Sequence, residues 1–272
     1  MANYTITFAT LECLEHTKMC VESLLKSGVD TKRIVAVDNG SSDGTPEYLQ
    51  HLGLGAAIIN RQNLSCGAAW NQGILAQQSD WTIVMNNDVI VTDGFADKLI
   101  GFAINNNLKL VSPARIDGSL DYDFSSFARQ AQVKMANAVR LGSSNAICMC
   151  IHWSLFNDIG FFRANPSLLG FEDGLFYNDL RKKKIQHATT GSVWIHHFGS
   201  VTQEHMKMVL GKKNNEVLTK VSDRKLYGQT WLERKLYRHS FKRAHKYWQQ
   251  QEIIKYGITL HGARINNEFK WL

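Results

Sequence analysis

The chain has 272 residues, 44% hydrophobic and 20% charged, which is enough for a sizeable core and excludes wholesale disorder. Its net charge of +7 is local: twelve basic against four acidic residues lie between positions 212 and 255, and the remainder is close to neutral. The five cysteines, Cys13, Cys20, Cys66, Cys148 and Cys150, form no C-x-x-C pair, which argues against a zinc or thioredoxin-like redox motif and points to a reduced, cytosolic compartment.

In chain order, residues 4–9 (YTITFA) read as a strand and 16–26 as an amphipathic helix. Residues 33–37 (RIVAV) are a second strand, ending at the turn-rich run from Asp38 to Thr45. A third strand is expected over 56–59, a helix over 68–77, and a fourth strand over 81–85 that stops abruptly at Asn86-Asn87-Asp88. This alternation predicts an α/β fold with an open, mostly parallel sheet flanked by helices, whose ligands bind beyond the carboxyl ends of the strands. Residues 118–140 are polar and give no clear element. Beyond them lie a buried strand over 145–151, a short helix over 153–159, a helix over 172–184 and a strand over 192–196. The composition turns basic and aromatic near residue 207, so 1–206 is expected as the catalytic domain and 207–272 as a basic helical extension.

Polar clusters fall at the strand ends. Asp38 can accept hydrogen bonds from a base or ribose edge. Asn86 and Asp88 offer hard oxygen ligands for Mg²⁺ or Mn²⁺, which in turn holds a diphosphate. Glu172-Asp173 opens a helix, where the dipole favours a carboxylate. Taken singly, each is equally a turn or a helix start.

Taken in order, VDNGSSDGT, NRQNLSCGAAWNQGI, WTIVMNNDV, GFEDGLFYNDLR and IHHFGSVT resemble the inverting glycosyltransferases of family 2, which have the GT-A fold, over residues 5–202. The resemblance implies that Asp38 contacts the base of a nucleotide-sugar, with Asn39, Thr10 and Glu12 in the same pocket. It implies that the loop with Asn63, Gly67 and Asn71 closes over the donor. Asn86-Asn87-Asp88 stands in place of the D-x-D motif, with Asn86 and Asn87 by the donor and Asp88 on a divalent metal, Mn²⁺ or Mg²⁺. Asp173 becomes the catalytic base, and Glu172 orients the base or the acceptor. A histidine at the end of the late strand, His196 or His197, contacts the metal or the diphosphate. Strand alternation lets only one of them face the site, and Phe198-Gly199-Ser200 directly after it favours His197. Two departures stand out: Asn86 replaces the first acid of D-x-D, and Leu175 stands where many relatives carry another acid.

The implied chemistry suits these residue types. Sugar transfer passes through an oxocarbenium-like state; the departing diphosphate needs charge stabilisation and the incoming hydroxyl needs a base on the opposite face of the ring. The partners so implied are a nucleoside-diphosphate sugar and a glycan or lipid-linked acceptor, with a homodimer left open. In the tail, Tyr237, Phe241, Ala244 and Trp248 share one helical face flanked by basic residues. That face either rests on an anionic membrane or packs on the catalytic domain; no nucleic-acid module accompanies it. No stretch approaches 18 apolar residues and the start lacks a basic leader, so a cytoplasmic protein, or one peripheral at the inner face of the membrane, is expected. Two other readings are a sugar nucleotidyltransferase, which would want a glycine-rich basic loop after the first strand, and a degenerate transferase that only binds a nucleotide or an anionic surface. The joint presence of Asp38, Asp88 and Asp173 speaks against the latter.

Overall fold

The β-branched and aromatic runs 4–10, 34–38 and 81–86 form strands buried on both faces, as crossover helices on either side of a parallel sheet require, while the edge run 56–59 stays half-exposed. A computed structural model describes residues 2–164, 171–199, 201 and 227–272. Strands β1 (Tyr4–Thr10), β2 (Ile34–Asp38), β3 (Ala56–Ile59) and β4 (Trp81–Asn86) lie parallel in the order β3-β2-β1-β4. The register sets Thr10 beside Asp38 and Ala9 beside Asn86, so three strands end along one edge. The winding reverses between β1 and β4, which opens a crevice there.

Beyond β4 the sheet is mixed. The short β5 (Val89–Val91) and β7 (Val139–Leu141) run antiparallel to β9 (Ala188–His197), a ten-residue strand parallel to β6 (Leu110–Gly118). Strand β8 (Cys148–His152) joins β4 to β6, antiparallel to both. Successive residues of β4 enter opposite cores. Ile83 and Met85 meet α1 (Leu14–Lys26) and α4 (Phe95–Asn105), while Val84 meets α3 (Cys66–Ala76), α6 (Ser154–Ile159) and α7 (Glu172–Lys182). A short helix, α2 (Thr45–His51), follows β2.

The stretch 118–140, unassigned from sequence, contains α5 (Phe124–Lys134) and the start of β7. Its helix buries only Phe124, Ala128 and Ala131, and Asp123 caps it by accepting from the Ser126 N–H at 2.9 Å. The tail holds the expected helix and, after it, two strands that the composition does not mark. Helix α8 (Trp231–Tyr256) starts at a Thr230/Glu233 capping box and stops at Gly257, which has φ +67°. The chain then forms a hairpin, β10 (His261–Ile265) and β11 (Glu268–Trp271), that extends the central sheet parallel to β6. Asn266 and Asn267, at φ +51° and +61°, supply its left-handed turn. Phe269 and Trp271 stack on Phe127 at centroid distances of 5.1 and 6.3 Å.

The expected helical extension therefore ends at Tyr256, and the last strands belong to the same sheet as the site. The boundary at 207 lies outside the described residues. Helix α8 is fastened at its C-terminal end, where buried Arg140 and Glu252 pair through two bonds of 2.6 and 2.7 Å. Its Tyr237 ring sits under the Arg181 guanidinium of α7 at 3.9 Å. Tyr237, Ala244 and Trp248 are half-buried, while Phe241 is exposed. Among the described residues, no helix is long and apolar enough to cross a membrane.

Candidate active site

Two loops at the carboxyl edge of the sheet are stitched together. After β1 the chain turns through Glu12 and Cys13, both left-handed at φ 59° and 66°. This aims the Glu12 carboxylate at Ser42, whose N–H and hydroxyl both donate to Oε1 at 3.0 Å. The Glu12 N–H donates to the Ser41 hydroxyl at 2.7 Å. Asp38, expected at the base of a nucleotide, is turned inward instead. It is fully buried and accepts from the N–H groups of Gly40 and Ser41 at 3.0 and 2.9 Å and from the Ser41 hydroxyl. Gly40 has φ +89°, and a Cβ there would lie 2.9 Å from the backbone of Gln62, so only glycine closes this turn.

The expected amide contacts are likewise occupied with bracing. Asn39 donates to the Ser65 carbonyl at 3.2 Å and accepts from Asn60 at 3.1 Å. Asn63 accepts from the Ser65 N–H at 2.9 Å. Asn71 holds both backbone groups of Phe162, at 2.7 and 3.0 Å. Asn87 donates to Thr10 and Thr17 at 3.1 and 2.9 Å, tying the ends of β4 and β1 together. Buried amides take the partners nearest to hand, and here the loops supply them. Asp38, Asn39, Asn71 and Asn87 thus shape the crevice from behind. Asn86 remains partly exposed at its rim.

Asp88 and His197 are different. Both are buried, and Asp88 Oδ1 lies 3.4 Å from His197 Nε2. Neither atom has a hydrogen-bond partner. The separation is too long for a charge-assisted N–H···O bond, which spans about 2.7–2.9 Å. Two lone-pair atoms sharing a buried point repel unless something electropositive sits between them, and oxygen plus imidazole nitrogen suits a divalent cation. No group of three or more His, Cys, Asp or Glu converges among the described residues, so this pair would leave further coordination positions to a ligand. His196 does not join it. One residue earlier on β9, it points through the opposite face, where Tyr122 Oη meets its Nδ1 at 3.0 Å among Phe124 and Phe198. Burial, and then the neighbouring His197, push its pKa down to about 4, so it stays neutral.

Behind His197 stands Asp117, at the end of β6 and in register with it. Its Oδ1 accepts from His197 Nδ1 at 3.0 Å, its Oδ2 from His261 Nε2 at 2.7 Å, and Arg115 Nε reaches it at 3.1 Å. Burial opposes ionisation, but the two histidine hydrogen bonds and the Arg115 charge outweigh it and hold Asp117 well below the usual carboxylate range. Asp117, Arg115 and His261 were not legible as site residues. A strand-end acid after LVSPARI was a usable signal for Asp117; nothing local marked His261.

The N-terminus of α7 closes the crevice. Buried Glu172 packs against the first turn of α3, accepting from the Gly67 N–H at 3.5 Å. A Cβ on Gly67 would lie 2.6 Å from Glu172 Cγ, so the glycine permits this contact. Asp173, partly exposed beside it, has its pKa raised by burial first and by the Glu172 charge, against a 2.7 Å bond from the Gly174 N–H. Burial first, and then the charges of Glu172, Asp173 and Asp88, push the pKa of Cys66 up, so all three carboxylates lie within electrostatic reach of that thiol.

The profile of the family described as Glycosyl transferase family 2 matches residues 9–163, a stretch that includes Asp38, Asp88 and Asp117 and ends before Asp173 and His197. Among solved structures, GalNAc-T7 with UDP, GalNAc and Mn²⁺ superposes with a TM-score of 0.55 at 13% identity, over 72% of this chain and 44% of that one. The mannosyltransferase PcManGT from Pyrobaculum calidifontis, in complex with GDP-Man and Mn²⁺, gives the same TM-score, identity and coverage of this chain, and 57% of its own length. This chain thus spans about half of either relative, and the likeness is one of fold. No curated protein matches the sequence.

Proposed function

The chain belongs to glycosyl transferase family 2, and on that premise we propose that it moves a hexosyl or deoxyhexosyl group from a nucleoside-diphosphate sugar to a hydroxyl of a glycan or lipid-linked acceptor, inverting the anomeric carbon. The observation that carries this reading is the pair of buried, unpartnered acceptors Asp88 Oδ1 and His197 Nε2, 3.4 Å apart. They would hold a divalent cation, Mn²⁺ or Mg²⁺, as such metals are held by a few protein ligands plus substrate phosphates. When bound, the cation supplies Lewis-acid stabilisation to the leaving diphosphate. The Mn²⁺, UDP and GDP-Man bound in the two structures of like fold support the assignment for this crevice.

The other residues divide the remaining work. Asp173 accepts the proton of the incoming hydroxyl; its raised pKa makes it a stronger base than an ordinary aspartate. Glu172 fixes the start of α7 against Gly67 and so sets where Asp173 stands. The stitched loops of Glu12, Ser41 and Ser42 wall the crevice where the nucleotide would lie. A single displacement with one base gives inversion, so the product should carry the anomeric configuration opposite to the donor's. A donor screen over UDP-, GDP- and dTDP-sugars with Mn²⁺, read by nucleotide release and by the anomeric proton of the product, tests the proposal. Release from one donor with a product of retained configuration would overturn the inverting mechanism.

We propose further that the protein is cytoplasmic and rests on the inner face of the membrane through α8. Leu232, Leu236, Tyr247 and Ile254 share a second, exposed side of that helix, and Lys235, Lys242 and Lys246 line the adjacent stripe. Flotation with phosphatidylserine-containing liposomes that weakens with salt is expected; no flotation at low salt would end this reading.

A further inference from the structure

We propose that Asp117 is the positioning residue of His197, and that the C-terminal hairpin, through His261, completes the cation site. The inference rests on the reading of Asp88 and His197 as the cation-binding pair. Strands β9, β6 and β10 run parallel, with β6 between the other two, and their registers set Asp117 beside His197 and Arg115 beside His261.

With both imidazoles neutral, the hydrogen bonds across these four side chains fix which nitrogen of each ring carries its proton. An ionised carboxylate only accepts, and a guanidinium only donates. Arg115 Nη2 faces His261 Nδ1 at 3.4 Å, so Nδ1 is the acceptor of that ring and Nε2 carries the proton it gives to Asp117 Oδ2. Asp117 Oδ1 in turn requires a proton on His197 Nδ1, 3.0 Å away. That leaves a lone pair on His197 Nε2, aimed at Asp88. The outer carboxylate thus selects the tautomer that can bind a cation and fixes the ring plane. His261 holds the free end of that carboxylate. Its side chain arrives from 144 residues away in sequence, which gives the hairpin a direct part in the site.

In Asp117→Asn, the amide can accept from one histidine only; its NH₂ must face the other donor. His197 is then released to adopt the Nε2–H tautomer, or its ring turns. His261→Ala removes one anchor of Asp117 and keeps the strand backbone.

The experiment uses the full chain, with Mn²⁺ alone as probe. Free Mn²⁺ is read by electron paramagnetic resonance, and the His197 tautomer by long-range ¹H–¹⁵N correlation, assigned by difference from His197→Ala. Wild type should show His197 protonated at Nδ1. Mn²⁺ affinity should fall about 10–100-fold in Asp117→Asn, with a change of tautomer, and less in His261→Ala. A wild-type His197 protonated at Nε2 would overturn the proposal without any variant, even if Asp117→Asn fails to fold. So would a folded Asp117→Asn that keeps wild-type Mn²⁺ affinity while His197→Ala loses it. If wild type and His197→Ala bind Mn²⁺ alike, or neither binds, the cation pair itself is refuted and this inference falls with it.

Discussion

Replacing Gly67 by alanine separates a donor-closing loop from a brace that places the base. Gly67 sits in the first turn of α3 without a positive φ, so alanine suits the backbone and the cost is steric. The new methyl would lie 2.6 Å from Cγ and 3.0 Å from Cβ of Glu172, and 3.6 Å from Cβ of Phe162. Relaxed carbon contacts need about 3.5–4.0 Å, so α3 and α7 must part by roughly 1 Å. The obstructing atoms are the root of a buried side chain, not a mobile tip. Overpacking of this kind costs about 1–3 kcal/mol, a fall in melting temperature of roughly 2–12 °C for a domain of this size. The shift passes directly to Asp173, and a misplacement near 1 Å lowers turnover by about 10²-fold. Calorimetry and steady-state kinetics should therefore show a lower melting temperature and a lower kcat, with donor affinity little changed. Wild-type kcat and melting temperature would refute the brace. Intact kcat with weakened donor binding would return Gly67 to the role of a donor contact.

Asp173→Asn should lose about 10²–10⁴ in transfer rate while still binding donor, since the amide cannot accept the hydroxyl proton. The same change should raise the melting temperature above the carboxylate range. The folded pKa of Asp173 lies above its unfolded value, so the ionised group destabilises the fold once pH passes through that window; below it, variant and wild type should converge. Asn86→Ala should weaken metal dependence less than Asp88→Ala, because a neutral amide at the rim contributes no charge; isothermal titration with Mn²⁺ and a nucleoside diphosphate compares them. Deleting the residues after Gly257 removes β10, β11, His261 and the partners of Phe127, so the protein should aggregate or melt much lower, each lost large side chain being worth about 1.5–3 kcal/mol.

The strand-end clusters were readable because parallel strands place their carboxyl ends on one edge, and VDN, NND and EDG each follow or start an element there. What the spacing could not say was which of those polar groups the loops would consume. Asp38 and Asn71 look like ligand contacts in a string of letters; in space, the N–H groups of Gly40 and Ser41 and the backbone of Phe162 have claimed them. Asp88 Oδ1 and His197 Nε2 stay unpartnered because no loop amide reaches their shared point. The hairpin was hidden in a segment read by composition alone. ARINNEFKW holds a turn between two alternating runs, but the preceding helix gives the whole segment its basic, aromatic composition. His261 reaches Asp117 only through strand register, which no local pattern encodes.

Thermal shift of the full chain with UDP, GDP and dTDP, each with and without Mn²⁺, reads whether Asp88 and His197 hold a cation for a bound diphosphate. Ligand at a hundred times its dissociation constant stabilises by about 2.7 kcal/mol, a rise of roughly 5–10 °C here. One diphosphate should give that rise only when Mn²⁺ is present, and both Asp88→Ala and His197→Ala should lose it. A diphosphate that stabilises equally without metal, or a metal-dependent rise that survives in both variants, would contradict a cation held by that pair.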